Sequence, residues 1–138
     1  MKLSICIPTY NRHKHLLNCL NSIYLAKKNS DINFEVCVSD NGSDYDVEKI
    51  IEKYDKKIKI KLNKNKENLG YHPNLLKSTY LASGEYVWGI GDDDLLTPDS
   101  LEKINTLFKR YPYVDFFCIN SYNFHYQFLN NFYKIFYT

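Results

Sequence analysis

Glu85-Tyr86-Val87-Trp88-Gly89-Ile90-Gly91-Asp92-Asp93-Asp94-Leu95 is the stretch on which the fold turns. Its first six residues read as a short apolar strand, and three adjacent carboxylates follow where that strand ends. At about 6 Å and an effective dielectric of ~20, each like-charge pair repels by up to roughly 3 kcal/mol, less where water screens it. Hard divalent cations relieve such repulsion. Mg²⁺ and Mn²⁺ favour oxygen ligands and commonly share one or two carboxylates with substrate phosphates. Open α/β sheets hold their ligands outside the carboxyl ends of parallel strands, so the position of the acidic run suits a binding role. A solvated acidic turn is the plain alternative. The apolar strand before the run and a second acidic strand end at Asp40 weigh against it.

Working outward, strand and helix patterns alternate along the chain. Residues 3–7 are a short apolar run ended by Pro8, as a buried parallel strand would be. From His15 onward, Leu16, Leu17, Leu20, Ile23 and Tyr24 recur at helical spacing. A second strand is expected over 34–39, and Val47, Ile50, Ile51 and Tyr54 mark a short second helix. Ile58, Ile60 and Leu62 alternate with Lys57, Lys59 and Lys61. Lysines on one face suit an edge strand kept from pairing with other chains, and contact with an anionic membrane surface is the sharper reading of them. A third helix is expected over 73–82, with Pro73 in its first turn and Gly84 as its stop. Pro98 and Asp99 open another helix, striped by Leu101, Ile104, Leu107 and Phe108, and residues 114–119 read as a fifth strand. Strands separated by helices of this length imply right-handed crossovers and a largely parallel sheet.

The chain has 138 residues, 44% hydrophobic and 16% aromatic, which suits one folded domain rather than a disordered segment. A net charge of +2 is too small to imply a nucleic-acid partner. Cys6, Cys19, Cys37 and Cys118 show no metal-binding spacing and read as reduced apolar filler. His13, His15, His72 and His125 lack ligand spacing too. No leader or membrane-spanning run is evident, so the expected location is the cytoplasm, including the inner face of its membrane. From Tyr122 the chain turns aromatic, with Phe124, Tyr126, Phe128, Phe132, Tyr133, Phe136 and Tyr137. Such a tail needs a covering surface, and self-association through it is expected.

Four loops should gather at the carboxyl ends of the strands. They are Pro8-Thr9-Tyr10-Asn11-Arg12, Asp40-Asn41-Gly42-Ser43, Asn68-Leu69-Gly70 and Asp92-Asp93-Asp94. Together they supply what a nucleoside diphosphate requires: a carboxylate for a base N–H, one for ribose hydroxyls, and one for a cation on the diphosphate. Gly42 and Gly70 permit tight turns. Trp88 and Tyr86 read as core in preference to a sugar platform.

These segments resemble, in order, the motifs of the family 2 glycosyltransferases. Residues 4–12 are similar to the family's opening signature, 38–43 to its second, 68–70 through 82–86 to its third, and 91–98 to its DxD segment. The resemblance covers roughly residues 1–120. It implies a GT-A fold, a Rossmann-like, mostly parallel sheet flanked by helices and cut short after the DxD region. Residues 1–121 would form the nucleotide-sugar-binding domain, and 122–138 an aromatic tail that begins a missing acceptor-binding half. The implied reaction is inverting transfer of a sugar from a nucleotide sugar, expected to be a UDP-sugar, to a glycan or lipid-linked acceptor hydroxyl in bacterial surface polysaccharide. By the same resemblance, Pro8, Thr9, Tyr10, Arg12, Asp40, Asn41, Gly42, Asn68, Gly70, Asn74, Asp92 and Asp93 would contact the donor, with Thr9 and Asp40 at the nucleoside. Asp94 with Asp92 would hold Mn²⁺ or Mg²⁺. Two departures stand out. Leu75-Leu76 replaces an Arg-Asn pair common in relatives, and no residue is in position to be the catalytic base, Glu102 and Asp115 included. A non-catalytic nucleotide-binding module is the competing reading.

Overall fold

The computed structural model describes residues 1–54 and 56–121. In chain order the elements are β1 (Leu3–Thr9), α1 (His13–Lys27), β2 (Phe34–Asp40), α2 (Val47–Ile51), β3 (Ile60–Lys64), α3 (Tyr71–Tyr80), β4 (Tyr86–Gly89) and α4 (Ser100–Arg110). The four strands form one sheet in the order β3-β2-β1-β4, and every pairing is parallel. The expected α/β class, with helices between parallel strands, is what forms. The first three strands progress to one side of the sheet, and β4 then crosses to the other side of β1. That reversal leaves a crevice beyond the carboxyl ends of β1 and β4, the usual ligand position in such sheets.

All seven residues of β1 and all seven of β2 are buried, because both strands have neighbours on either edge and layers on both faces. Their two faces differ in chemistry. Leu3, Ile5 and Ile7 lie in register with Phe34, Val36 and Val38 and make an apolar face. Full burial of each such side chain contributes about 1.5–3 kcal/mol. The opposite face carries Ser4, Cys6, Glu35, Cys37 and Ser39. Helix α3 packs across β1 and β2, and its buried residues, Asn74 and Ser78, are as small and polar as the strand residues beneath them. Cys6 Sγ lies 3.6 Å from the Ser78 carbonyl oxygen. Cys6, Cys19 and Cys37 are free and buried, as expected of packing cysteines, whereas Cys118 is free and exposed.

Glu35 sits on this polar face with no exposed surface. Its Oε1 accepts from the Ser4 hydroxyl (3.0 Å), and from both the backbone N–H and the hydroxyl of Ser83 (2.7 Å each). Lys61 Nζ is 3.1 Å from Oε1 and Lys59 Nζ 3.1 Å from Oε2. β3 is an edge strand, as its lysines suggested. Two of those lysines, however, are committed to a buried carboxylate rather than spread as a free basic face. Burial alone would raise the Glu35 pKa, but the bonds from Ser83, Lys59 and Lys61 outweigh it and hold the carboxyl down at about 2.

Three further expectations are corrected. Gly84 does not stop α3, which ends at Tyr80 with Leu81 as its cap. Gly84 instead passes against β1, donating its N–H to Ser4 Oγ (2.9 Å) at a point where a Cβ would lie 2.6 Å from the Ser4 nitrogen. Helix α3 also begins at Tyr71, two residues before Pro73, which still falls in its first turn. The fifth strand does not form, and residues 114–120 take no regular structure. A strand needs a hydrogen-bonded neighbour and a buried face. Phe116 is 81% exposed and Ile119 43%, and no strand among the described residues pairs with this segment.

The chain groups into two compact units, Met1–Asn105 and a second from Thr106 onward. In the first, Leu101 and Ile104 of α4 are buried, and Asn105 donates to Asp31 Oδ1 (2.8 Å). In the second, Phe108 meets Phe117 edge-on, with ring centroids 5.6 Å apart. The aromatic tail, 122–138, lies outside the described residues. No helix among the described residues is long and apolar enough to cross a membrane.

Candidate functional site

Beyond β4 the chain closes a tight turn. Gly91 N–H donates to Asp94 Oδ2 (2.7 Å), and Asp94 N–H returns to the Gly91 carbonyl (3.2 Å). A Cβ on Gly91 would lie 2.5 Å from Asp93 Oδ1 and 3.3 Å from Asp94 Oδ2, so glycine lets the carboxylates fold back over the strand end. The Ile90 N–H still bonds to the Cys6 carbonyl, which seats the turn beside the end of β1. There Thr9 donates to Asp92 Oδ2 (2.8 Å). The other Asp92 oxygen, Oδ1, takes Arg12 Nη1 at 3.0 Å, while Arg12 Nη2 reaches Asp93 Oδ2 at 2.8 Å.

The three carboxylates are therefore not equivalent. Asp92 is buried, and burial drives its pKa above the ordinary value despite Thr9 and Arg12. For Asp93, half-exposed, the desolvation cost is outweighed by the Arg12 hydrogen bond and charge, so its pKa is lowered. Asp94 is exposed, and its Oδ2 accepts from the Gly91 N–H. Behind the turn, the buried Cys19 thiol is pushed up by desolvation and then by the charges of Asp92, Asp94 and Asp93.

The remaining loops are fastened to one another. Asn11 takes positive φ (51°), a conformation Asn tolerates. It is held by a reciprocal pair: its Nδ2 donates to Asp44 Oδ2 and its Oδ1 accepts from the Asp44 N–H, both 2.8 Å. Asn41 Nδ2 donates to Asn68 Oδ1 (2.7 Å) and to the Gly70 carbonyl (3.2 Å). Its Oδ1 accepts from Asn65 Nδ2 (3.1 Å) and the Leu69 N–H (2.9 Å). Asn74, 2% exposed, accepts from the Ser39 hydroxyl and Asn65 and donates to the Ser39 and Thr9 carbonyls. Gly42 and Gly70 both take positive φ, 79° and 87°.

Together these loops enclose a cleft of about 540 Å³, lined by Pro8, Thr9, Tyr10, Arg12, Asn41, Asn68, Gly70, Tyr71, Asn74 and the turn 91–94. The structure thus brings to one cleft every residue expected at the donor or the cation except Asp40 and Gly42. Asp40 is buried at the end of β2, in register with Thr9, and its Oδ1 accepts from the Ser43 N–H (3.1 Å). Asn41 and Asn74 line the cleft, but their amides are spent on holding loops. Sequence reasoning missed Tyr71, and took Gly91 only as part of the run that carries the carboxylates. Tyr71 directly follows the Asn68-Leu69-Gly70 segment, and an exposed aromatic there was the available signal. Tyr45 packs beside these loops: its ring lies 5.4 Å from His13, and burial raises the pKa of its hydroxyl despite Thr9 and Ser43 next to it.

A model for "Glycosyl transferase family 2" matches residues 4–136. The chain belongs to glycosyltransferase family 2. Among its relatives, the abequosyltransferase RfbV of Salmonella typhimurium is 40% identical over 108 residues, which cover 77% of this chain and 32% of that protein. The poly(ribitol-phosphate) beta-N-acetylglucosaminyltransferase TarS of Staphylococcus aureus is 35% identical over 105 residues, covering 74% of this chain and 18% of TarS. The crystal structure of S. aureus TarS residues 1–349 in complex with UDP-GlcNAc superposes with a TM-score of 0.72 at 28% identity, covering 81% of this chain and 32% of that one. The expected GT-A architecture is therefore the observed one. This family 2 chain spans about a third or less of the length of these curated relatives.

Whether the acidic turn suits a divalent cation can be read from its donors. Among the described residues, no three His, Cys, Asp or Glu side chains are arranged to enclose a metal ion by themselves. Asp92, buried, already accepts from Thr9 at one oxygen and pairs with Arg12 at the other. Asp93 and Asp94 are exposed at the cleft. Two accessible carboxylates beside a cavity fit a hard cation that arrives with phosphate oxygens of its own.

Proposed function

We propose that this chain is the donor-binding part of a glycosyltransferase, holding a nucleoside-diphosphate sugar and a divalent cation for inverting transfer to an acceptor hydroxyl. The observation that carries the reading is the junction of Thr9, Arg12 and the Asp92–Asp94 turn at the sheet's reversal point, opening on a cleft of about 540 Å³. The names of RfbV and TarS, and the UDP-GlcNAc in the TarS crystal, support a nucleotide sugar. A UDP-sugar is the donor we favour, and bacterial surface polysaccharide the destination.

In this reading Thr9 and Asp40, adjacent on β1 and β2, serve the nucleoside. Asp92 is held in place by Thr9 and Arg12, and with Asp93 it faces ribose and diphosphate. Asp94 is the cation ligand, with Asp93 beside it. A bound cation would neutralise charge developing on the departing diphosphate. The amide ties among Asn41, Asn65, Asn68 and Asn74 keep three loops in one arrangement, so less order has to be imposed when the donor arrives. The cleft's only carboxylates among the described residues are Asp92, Asp93 and Asp94, and the reading assigns no base to this chain. Titrating the purified chain with UDP in a calorimeter, with Mn²⁺ and again in EDTA, tests the proposal. Binding that needs the cation supports it, and no binding of UDP under either condition contradicts it.

A further inference from the structure

The acidic turn already holds a cation, contributed by a side chain 81 residues away in sequence from Asp93. The Arg12 guanidinium spans Asp92 and Asp93 with one N–H edge on each. The two contacts differ in shelter. The Asp92 side chain is 4% exposed, and its second oxygen is tied to Thr9. The Asp93 side chain is 51% exposed. Removing the guanidinium from Asp92 would leave a buried carboxylate uncompensated, which is strongly unfavourable. Releasing it from Asp93 gives up a water-screened pair, and such pairs are weak.

We propose that Arg12 is a built-in stand-in for the divalent cation. It competes with the cation for Asp93, remains anchored on Asp92 when the cation binds, and presents the freed N–H edge to the diphosphate. This inference rests on the nucleotide-sugar reading above. The charge balance favours it. In the resting turn the Arg12 guanidinium, with His15 nearby, faces three adjacent carboxylates, whereas an arriving diphosphate adds enough negative charge for dication and guanidinium to share the site. A planar guanidinium suits both tasks, because its fork matches carboxylate and phosphate oxygens alike.

The test is a manganese titration followed by electron paramagnetic resonance on the wild-type chain, Arg12→Gln and Arg12→Lys, without nucleotide. Calorimetry with UDP at saturating Mn²⁺ follows. Arg12→Gln should bind bare Mn²⁺ more tightly, by roughly 3- to 10-fold given the modest strength of an exposed charged pair, yet bind UDP more weakly. Arg12→Lys keeps the charge but cannot bridge two carboxylates, so it should fall between. If Arg12→Gln does not fold, the lysine variant carries the same comparison with a smaller gain. Manganese affinity unchanged or weakened in the variants overturns the competition, and UDP affinity unchanged overturns the diphosphate contact. A wild-type chain that binds no UDP counts against the nucleotide-sugar reading. One that binds UDP with Mn²⁺, while the variants gain nothing for Mn²⁺, counts against the role of Arg12 alone.

Discussion

Replacing Glu35 with glutamine removes one charge from the interior and should produce a pH-dependent loss of stability. In the folded chain Glu35 is held at about 2, against 4.5 for a free glutamate. Each pH unit of difference is worth about 1.4 kcal/mol, so the depression corresponds to roughly 3 kcal/mol at neutral pH. The sign follows from the direction of the shift. A carboxyl with a depressed folded pKa contributes stability that is present above its unfolded pKa and lost as pH falls toward its folded one. The window therefore runs from about pH 4.5 down to about pH 2. Urea denaturation of wild type and Glu35→Gln, at several pH values, isolates this group, because every other carboxylate is common to both chains. Wild type should exceed the variant by about 3 kcal/mol near pH 6 and by roughly half as much or less at pH 3. A gap that stays constant from pH 6 to pH 3 would refute the assignment of Glu35 as the ionised centre of the Ser4, Ser83, Lys59 and Lys61 network.

Two further substitutions separate the fold from the site. Gly91→Ala places a Cβ against the exposed end of Asp93, which can swing away. Stability should change by under about 1 kcal/mol, while cation-dependent UDP binding weakens several-fold; a variant that binds like wild type would show that the fold of the turn is irrelevant to the site. Asn74→Leu strands the Ser39, Asn65 and Thr9 groups that its amide serves. At about 1–3 kcal/mol for each buried group left unpaired, it should destabilise the chain by more than about 2 kcal/mol in urea, and a loss below about 1 kcal/mol would contradict the bracing role.

Much of this architecture is legible along the chain because it depends on local pattern. The apolar run from Leu3, the helical recurrence of Leu16, Leu20 and Ile23, and the strand that leads into the Asp92–Asp94 turn each announce an element within a few residues. Their alternation implies the parallel sheet, and the sheet implies where the loops meet. What the sequence hid depends on register and distance. Lys59 and Lys61 read as an exposed face until β3 is laid beside β2, when the register brings them to Glu35. Gly84 reads as a helix stop, since nothing local reveals that Ser4, 80 residues earlier, occupies the space its side chain would need. Residues 114–119 carry the apolar content of a strand, but content does not supply a neighbour to pair with. At the site, the residue types were visible and their partners were not. Asn41 and Asn74 look like ligand contacts in sequence, yet their amides are consumed in bracing loops, and nothing near Arg12 in sequence shows that it spans Asp92 and Asp93.

The central claim is that the acidic turn binds a nucleoside diphosphate through a divalent cation held by Asp94. The direct measurement is UDP affinity by calorimetry, with and without Mn²⁺, for wild type and Asp94→Ala, with circular dichroism to confirm that both are folded. Wild type should lose most of its affinity in EDTA. Asp94→Ala should bind UDP weakly and equally with or without the cation. Affinity that is indifferent to Mn²⁺ in wild type, or a cation dependence that survives in Asp94→Ala, would contradict the account.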